Sequence, residues 1–188
     1  ADGVAIATWI QNTSPLAPGS ADWRERLWIN RRDVSQFDWD GGQLADDFDQ
    51  GPSSAPSVAM SPDGRSAMIA WTQDNRFASS HLDPAGPLAP AFEFGPQDLG
   101  TRTEAIELQL DGHGNGLAIH RQRNVVGTYD SVVRRYDAVN DTWSPASPIE
   151  ITNASTDETR LAISPAGKAV AVWSTVGPIY RIESNVFQ

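Results

Sequence analysis

The residues best suited to bind a ligand lie close together near the start of the chain. Trp23 and Trp28 flank Arg24 and Arg26 there. These residue types dominate interface hot spots, and they stack on aromatic and sugar rings. The sequence therefore predicts a binding surface at these four residues. The alternative is that the segment lengthens a hairpin or caps the edge of a sheet, because a cap needs the same aromatic side chains.

An acidic run follows, and it contains a candidate calcium site at Asp38 and Asp40. Two glycines come directly after Asp40, and calcium binds carboxylate oxygens on a turn that glycine keeps tight. The third alternating carboxylate and the distal glutamate of such a loop are missing. A solvated outer strand is therefore the favoured interpretation, and we expect no cofactor apart from this weaker calcium candidate.

No catalytic residue can be named from motifs. His81, His113 and His120 lack the spacing of zinc ligands, and the chain has no cysteine. Neither a glycine-rich phosphate loop, a Gly-x-Ser-x-Gly elbow nor a His-Glu-x-x-His motif occurs. Carboxylates are plentiful, so a glycosidase pair stays open, although none stands out from its neighbours. The sequence leaves enzymatic activity undecided and favours a non-catalytic protein.

Composition narrows the range of partners. The 188 residues carry a formal net charge of -10, which disfavours nucleic acid and anionic lipid because both need a basic surface. No apolar run approaches the length of a membrane span.

The elements that would position these residues are repeated β-hairpins. Pro56 to Trp71 consists of two apolar runs joined by Asp63-Gly64, and an Asp-Gly turn is a strong hairpin signal. The same hairpin recurs at 105–120 and 160–173, and its second half recurs at 2–9. Four equivalent residues end the second strands and serve here as the anchor position: Trp9, Trp71, His120 and Trp173. Their spacings of 62, 49 and 53 residues indicate a repeat near 50 residues.

This period, with four short strands per unit, predicts an all-β fold of the β-propeller type. The repeats cover approximately 1–54, 55–102, 103–156 and 157–188 of a single domain. In the second repeat we expect strands at 57–61, 66–71, 77–82 and 92–95. The first repeat lacks its opening strand and the last stops near its third. We expect either that the chain continues in both directions or that other chains complete the ring. We expect the anchor residues between neighbouring blades, with His120 packed or hydrogen-bonded there.

The predicted binding segment is an insertion on this scaffold. From the anchor position to the acid that follows the third strand, the first repeat has 29 residues (Trp9 to Asp38) and the later repeats have 12, 17 and 10. Loops that grow on a repeat scaffold commonly carry binding.

The turns Ser61-Pro62-Asp63-Gly64 and Ser164-Pro165-Ala166-Gly167 resemble the hairpins of bacterial propeller repeats typified by TolB, and of repeats in secreted and envelope proteins. This resemblance implies a propeller that binds proteins or glycans outside the cytoplasm, and it transfers no catalytic residues. The Asp-box of sialidase propellers, Ser-x-Asp-x-Gly-x-Thr-Trp, is not matched at Ser61, and the arginine triad of that family cannot be assigned.

Our hypothesis from the sequence is a non-catalytic propeller module that recognises a protein partner in the extracellular space or the periplasm. The partner could be a further propeller chain that completes the incomplete repeats. The alternatives are a glycan-binding lectin, with Trp23 and Trp28 as its discriminating feature, and a glycan-active enzyme with an acid pair in the central channel.

Overall fold

The computed structural model consists of antiparallel β-sheet. It describes residues 3–12, 25–33, 35, 38–46, 51–84, 86, 93–94, 102–124, 126–150 and 154–187. No helix long and apolar enough to cross a membrane occurs within these ranges. The all-β prediction is confirmed for this part of the chain.

The described strands form four sheets in chain order. Sheet 1 contains β1 (Val4–Asn12), β2 (Glu25–Asp33) and β3 (Gln43–Leu44). Sheet 2 contains β4 (Ser53–Met60), β5 (Ala67–Gln73), β6 (Arg76–Leu82) and β7 (Glu93–Phe94). Sheet 3 contains β8 (Arg102–Leu110), β9 (Gly116–Arg123), β10 (Tyr129–Asp137), β11 (Thr142–Trp143) and β12 (Ser147–Pro148). Sheet 4 contains β13 (Ser155–Ile163), β14 (Ala169–Val176) and β15 (Arg181–Phe187).

Each sheet is a meander in which consecutive strands pair. In sheet 3 the outermost strand is split into β11 and β12, which both pair with β10. The four strands predicted for the second repeat are found, but the first begins at Ser53 instead of Ser57. The earlier start of this strand could not be predicted, because Pro56 has no N–H to donate and interrupts the strand pattern at a register shift.

The predicted hairpin turns are present between the first two strands of sheets 2, 3 and 4. Gly64, Gly114 and Gly167 have φ angles of 72°, 82° and 81°. This left-handed region costs glycine nothing, because glycine has no Cβ to clash. In sheet 2 the N–H of Gly64 closes the turn by donating to Ser61 O at 2.8 Å.

Neighbouring sheets pack face to face through three apolar clusters. The cluster between sheets 1 and 2 contains Leu27, Ile29, Ile69 and Trp71. The cluster between sheets 3 and 4 includes Leu117, Ile119 and Trp173. The third cluster lies between sheets 2 and 3 and contains Met68, Phe77, Leu108 and Trp143. The first strand of sheet 3, β8, contacts both β4 of sheet 2 and β13 of sheet 4. We call β4, β8 and β13 the inner strands.

The anchor position lies between sheets wherever a preceding sheet is described. Trp71, His120 and Trp173 are buried, as expected. Trp9 is only partly buried because it faces away from sheet 2. On that face of sheet 1 it stacks on Trp28, with ring centroids 6.2 Å apart.

Candidate functional site

The predicted binding residues are only partly within the described chain. Trp23 and Arg24 lie outside it. Arg26 is buried, and its Nε lies 2.7 Å from Asp46 Oδ1 in an ion pair. Asp46 also accepts hydrogen bonds from Leu27 N and Ser53 Oγ. Arg26 therefore links β2 to the chain that leads into β4. A ligand-binding role for the four residues stays a prediction.

The calcium candidate lies on an exposed turn beside β2. Asp38 and Asp40 are both exposed, and Asp40 Oδ2 accepts a hydrogen bond from Arg31 Nε at 2.9 Å. Within the described ranges, no group of three or more histidine, cysteine or acidic residues is placed to hold a metal ion. Calcium binding stays a prediction.

Of the three histidines, His120 is buried between sheets 2 and 3. Its ring stacks on Phe77 with centroids 5.5 Å apart, and Nε2 accepts a hydrogen bond from Arg134 Nε at 3.3 Å. Burial lowers the pKa of His120 to about 4, so the ring is neutral and can accept this bond. Burial also lowers the pKa of Arg134 to about 10, and its guanidinium stays charged over the Phe77 ring. The predicted packing role of His120 is confirmed.

All three inner strands carry a β-bulge in their N-terminal halves. The register shifts occur between Ser54 and Ser57 in β4, Glu104 and Glu107 in β8, and Asp157 and Thr159 in β13. At each bulge a residue other than glycine has a positive φ: Ala55 and Ala105 at 50°, and Glu158 at 33°. Such backbone strain persists only where the surrounding structure enforces it, and it concentrates at functional sites. We call this end of the inner strands the bulge end.

A phenol and a carboxylate meet at the bulge end of sheet 3. The Tyr129 hydroxyl, at the start of β10, donates to Glu104 Oε1 at 3.1 Å across β9. Arg102 Nε lies 2.8 Å from the same carboxylate oxygen. Glu104 thus forms an ion pair with Arg102 of its own strand and accepts a hydrogen bond from the Tyr129 hydroxyl.

A second guanidinium extends this arrangement into sheet 4. The guanidinium carbon of Arg121 lies 4.4 Å from the centre of the Tyr129 ring. Its Nη1 donates to Asp157 Oδ1 at 2.9 Å. The result is one connected polar cluster that we call the bulge-end cluster: Arg102, Glu104, Tyr129, Arg121 and Asp157. Its two carboxylates and Arg102 remain partly accessible to solvent.

The bulge-end cluster departs from the repeat pattern. The residue before the positive-φ position is Ser54 in sheet 2 but Glu104 and Asp157 in sheets 3 and 4. Opposite these residues in the second strands stand Thr72, Arg121 and Ser174 respectively. No sequence motif indicated this cluster. Comparison of the repeats position by position would have found it, because only sheets 3 and 4 place charges where sheet 2 has hydroxyl side chains.

The arrangement can perform two kinds of chemistry. Its guanidinium, carboxylate and phenol groups can hydrogen-bond the hydroxyls of a polar ligand. The Tyr129–Glu104 contact also has the form of a nucleophile with an adjacent base, and Arg102 holds the base in place.

The opposite end of the inner strands, which we call the turn end, holds a cavity of about 430 Å³ between sheets 3 and 4. Two acidic residues line it. Asp111 accepts hydrogen bonds from His113 N and Asn115 N, and Asp137 accepts from Val139 N and Asn140 N. These carboxylates are engaged in closing the turns.

Comparisons with known proteins identify a fold. No family model and no curated protein matches the chain. Among solved structures, a protein of unknown function from Dyadobacter fermentans is 13% identical with a TM-score of 0.63, over 97% of this chain and 62% of that one. The Hadza microbial sialidase Hz136 is 12% identical with a TM-score of 0.67, over 97% of this chain and 42% of that one.

A NanB sialidase from Streptococcus pneumoniae is 10% identical with a TM-score of 0.54, over 91% of this chain and 28% of that one. The chain therefore spans less than two thirds of the length of each of these three proteins. At such identities the likeness is one of fold alone. Together with the packed antiparallel meanders of three to five strands, it supports a β-propeller architecture.

Proposed function

We propose that this chain forms part of a glycan-active β-propeller in which Tyr129 and Glu104 are the reacting pair. In this proposal each of the four sheets is one blade, and the TolB-type hairpins supply the first two strands of sheets 2 and 4. In this proposal the protein acts on glycans in the extracellular space or the periplasm. The observation that carries the proposal is the hydrogen bond from the Tyr129 hydroxyl to Glu104, with Arg121 over the ring.

Glu104 meets a chemical requirement of such a reaction. A free tyrosine hydroxyl ionises only near pH 10, so it is a poor nucleophile unless a base accepts its proton. Glu104 lies within hydrogen-bond distance to do so. Tyrosine serves as the nucleophile in sialidases, in place of the carboxylate of most glycosidases. Two of the structurally similar proteins are sialidases by name, which favours this reaction class over protein recognition.

The proposed reaction has two steps. The Tyr129 oxygen bonds to the anomeric carbon, the bond from that carbon to the leaving oxygen breaks, and Glu104 takes the phenolic proton. Water then attacks the same carbon, and the bond to Tyr129 breaks. Glu104 returns its proton to the tyrosine, and the proton released by water neutralises the departed oxygen. Arg121 and Arg102 hold the ring and the carboxylate in position.

The test is hydrolysis of 4-methylumbelliferyl glycosides, including those of sialic acid and xylose. Tyr129→Phe removes only the nucleophilic oxygen, and Glu104→Gln removes the base, so each should lower kcat by about a hundredfold or more. Tyr180→Phe is the matched control, because Tyr180 is an exposed tyrosine outside the bulge-end cluster, and it should keep full activity.

Two outcomes would contradict the enzymatic proposal. One is the absence of hydrolysis of every glycoside by the folded chain. The other is hydrolysis that survives in Tyr129→Phe. Glycan-array binding without hydrolysis, abolished when Trp23 and Trp28 are both changed to alanine, would support the lectin alternative instead.

A further inference from the structure

Equivalent residues on neighbouring sheets differ sharply in exposure. The residues three and one before the anchor position are Met68 and Ala70 in sheet 2, where they are 1% and 0% exposed because sheet 3 packs on them. In sheet 4 the same positions hold Val170 and Val172, which are 44% and 37% exposed. Val186, the cross-strand partner of Val170, is also exposed. The structure describes nothing that covers this aliphatic face of sheet 4.

Sheet 1 presents the reciprocal surface. Trp9 pairs with Trp28 across β1 and β2, and Trp28 pairs with Leu44 of β3, so the three side chains share one face. Leu27 and Ile29 alternate with Trp28 and point the other way, into the cluster with sheet 2. The Trp9 face is therefore the side on which a preceding sheet would pack.

The internal interfaces between sheets show how such faces pack on one another. Between sheets 1 and 2, the face that bears the anchor Trp71 packs on the aliphatic residues Leu27 and Ile29 of the preceding sheet. Between sheets 3 and 4, Trp173 packs on Leu117 and Ile119 in the same way. The aliphatic face of one sheet receives the anchor face of the next. The exposed face of sheet 4 therefore matches the partly exposed Trp9 face of sheet 1 in kind.

We propose that a second copy of this chain covers both faces. The Trp9 face of each copy packs on the Val172 face of the other, head to tail, and two identical interfaces form around one twofold axis. Two sets of four sheets give eight, within the typical range of about four to eight blades in closed propellers. This inference does not depend on the glycan-active proposal.

The experiment is light scattering coupled to gel filtration on the 188-residue chain, over about a hundredfold range of concentration. We expect twice the single-chain mass of 20.4 kDa. Val172→Asp places a charge on the sheet 4 face and should give a monomer. Val139→Asp is the matched control, because Val139 is exposed on a turn outside both faces, and it should stay dimeric. Circular dichroism checks that each variant is folded.

A mixing experiment tests the head-to-tail geometry. Leu44→Asp changes the sheet 1 face, so it should also give a monomer alone. A mixture of Val172→Asp and Leu44→Asp retains one intact pair of faces and should regain a weaker dimer. A monomer at every concentration, a ladder of larger oligomers, or a dimer that persists in either folded variant would overturn the proposal.

Discussion

The two ends of the inner strands use polar side chains in different ways. At the turn end, equivalent positions hold Ser61, Asp111 and Ser164, and each side chain accepts a hydrogen bond from a backbone N–H of its own turn. At the bulge end, the equivalent positions differ in charge between sheets 2 and 3. Glu104 has Arg102 on its own strand as one partner. Its other partner, Tyr129, comes from another strand, and Asp157 is bound by Arg121 of another sheet.

Titration separates the two ends as well. At the turn end, hydrogen bonds from the Ser61 and Asn140 side chains lower the pKa of Asp63 and Asp137 respectively, so both carboxylates stay ionised at neutral pH. Near the bulge end, Glu150 lies beside Ser131 of β10, and burial raises the pKa of Glu150 to about 7. The polar contacts that recur in the hairpins of sheets 2, 3 and 4 thus close their turns. Contacts that occur in one or two repeats are available for function.

The largest loss of stability should come from a substitution at the turn end. Asp111 is buried, and its carboxylate accepts hydrogen bonds from His113 N at 2.8 Å and from Asn115 N at 2.9 Å. Asp111→Ala leaves these donors without their partner and should lower the free energy of unfolding by about 3 kcal/mol, measured by urea denaturation. Glycoside hydrolysis below the melting temperature should be unchanged.

Asp63→Ala is the matched control for Asp111→Ala, because Asp63 belongs to the equivalent turn of sheet 2 but is exposed. It should cost less stability. Equal losses in the two variants would mean that the turn end does not depend on buried carboxylate bonds. Lost hydrolysis in a folded Asp111→Ala protein would mean that the two ends are not separate in function.

A smaller change in stability should come from the titration of Glu150, near the bulge end, as the pH is raised. Glu150 accepts a hydrogen bond from Ser131 N at 2.7 Å, and burial, followed by the charges of Asp130 and Glu183, raises its pKa to about 7 from 4.5. Because the folded pKa is the higher one, this contribution to stability is full below pH 4.5 and is lost as the pH rises through 7.

Glu150→Gln should remove that loss. Solvent screening reduces the effect at a half-buried carboxyl, so we expect the wild type to lose about 1 kcal/mol more than the variant between pH 5 and pH 8, measured by urea denaturation. Equal losses in both proteins would show that Glu150 titrates as an ordinary surface carboxyl.

The hairpins and the repeat could be predicted because their signals are local. Asp63-Gly64 fixes a turn, and the apolar run that ends at Trp71 fixes a buried strand.

The bulge-end cluster could not be predicted by the same means. Glu104 and Tyr129 are 25 positions apart, and their meeting depends on a bulge in β8 and on the register of β9 and β10. Neither residue type is unusual in a strand. Likewise, Arg26 has the type of a binding residue, but its partner Asp46 is set by how the chain passes from sheet 1 to sheet 2.

The smallest change in stability should come from relieving the backbone strain at the bulge end. Ala105 is exposed and has a φ of 50°, a conformation that costs alanine about 1 kcal/mol and costs glycine little. Ala105→Gly should therefore raise the free energy of unfolding by about 0.5 kcal/mol, since the greater freedom of glycine in the unfolded chain offsets part of the gain.

Ala162→Gly is the matched control, because Ala162 is an exposed residue of inner strand β13 outside the bulge, and it should lower stability by a similar amount. Opposite signs in thermal melts of the two variants would locate the strain at the bulge, whereas equal losses would show that the bulge backbone is relaxed and that its geometry follows from the packing of the sheets alone.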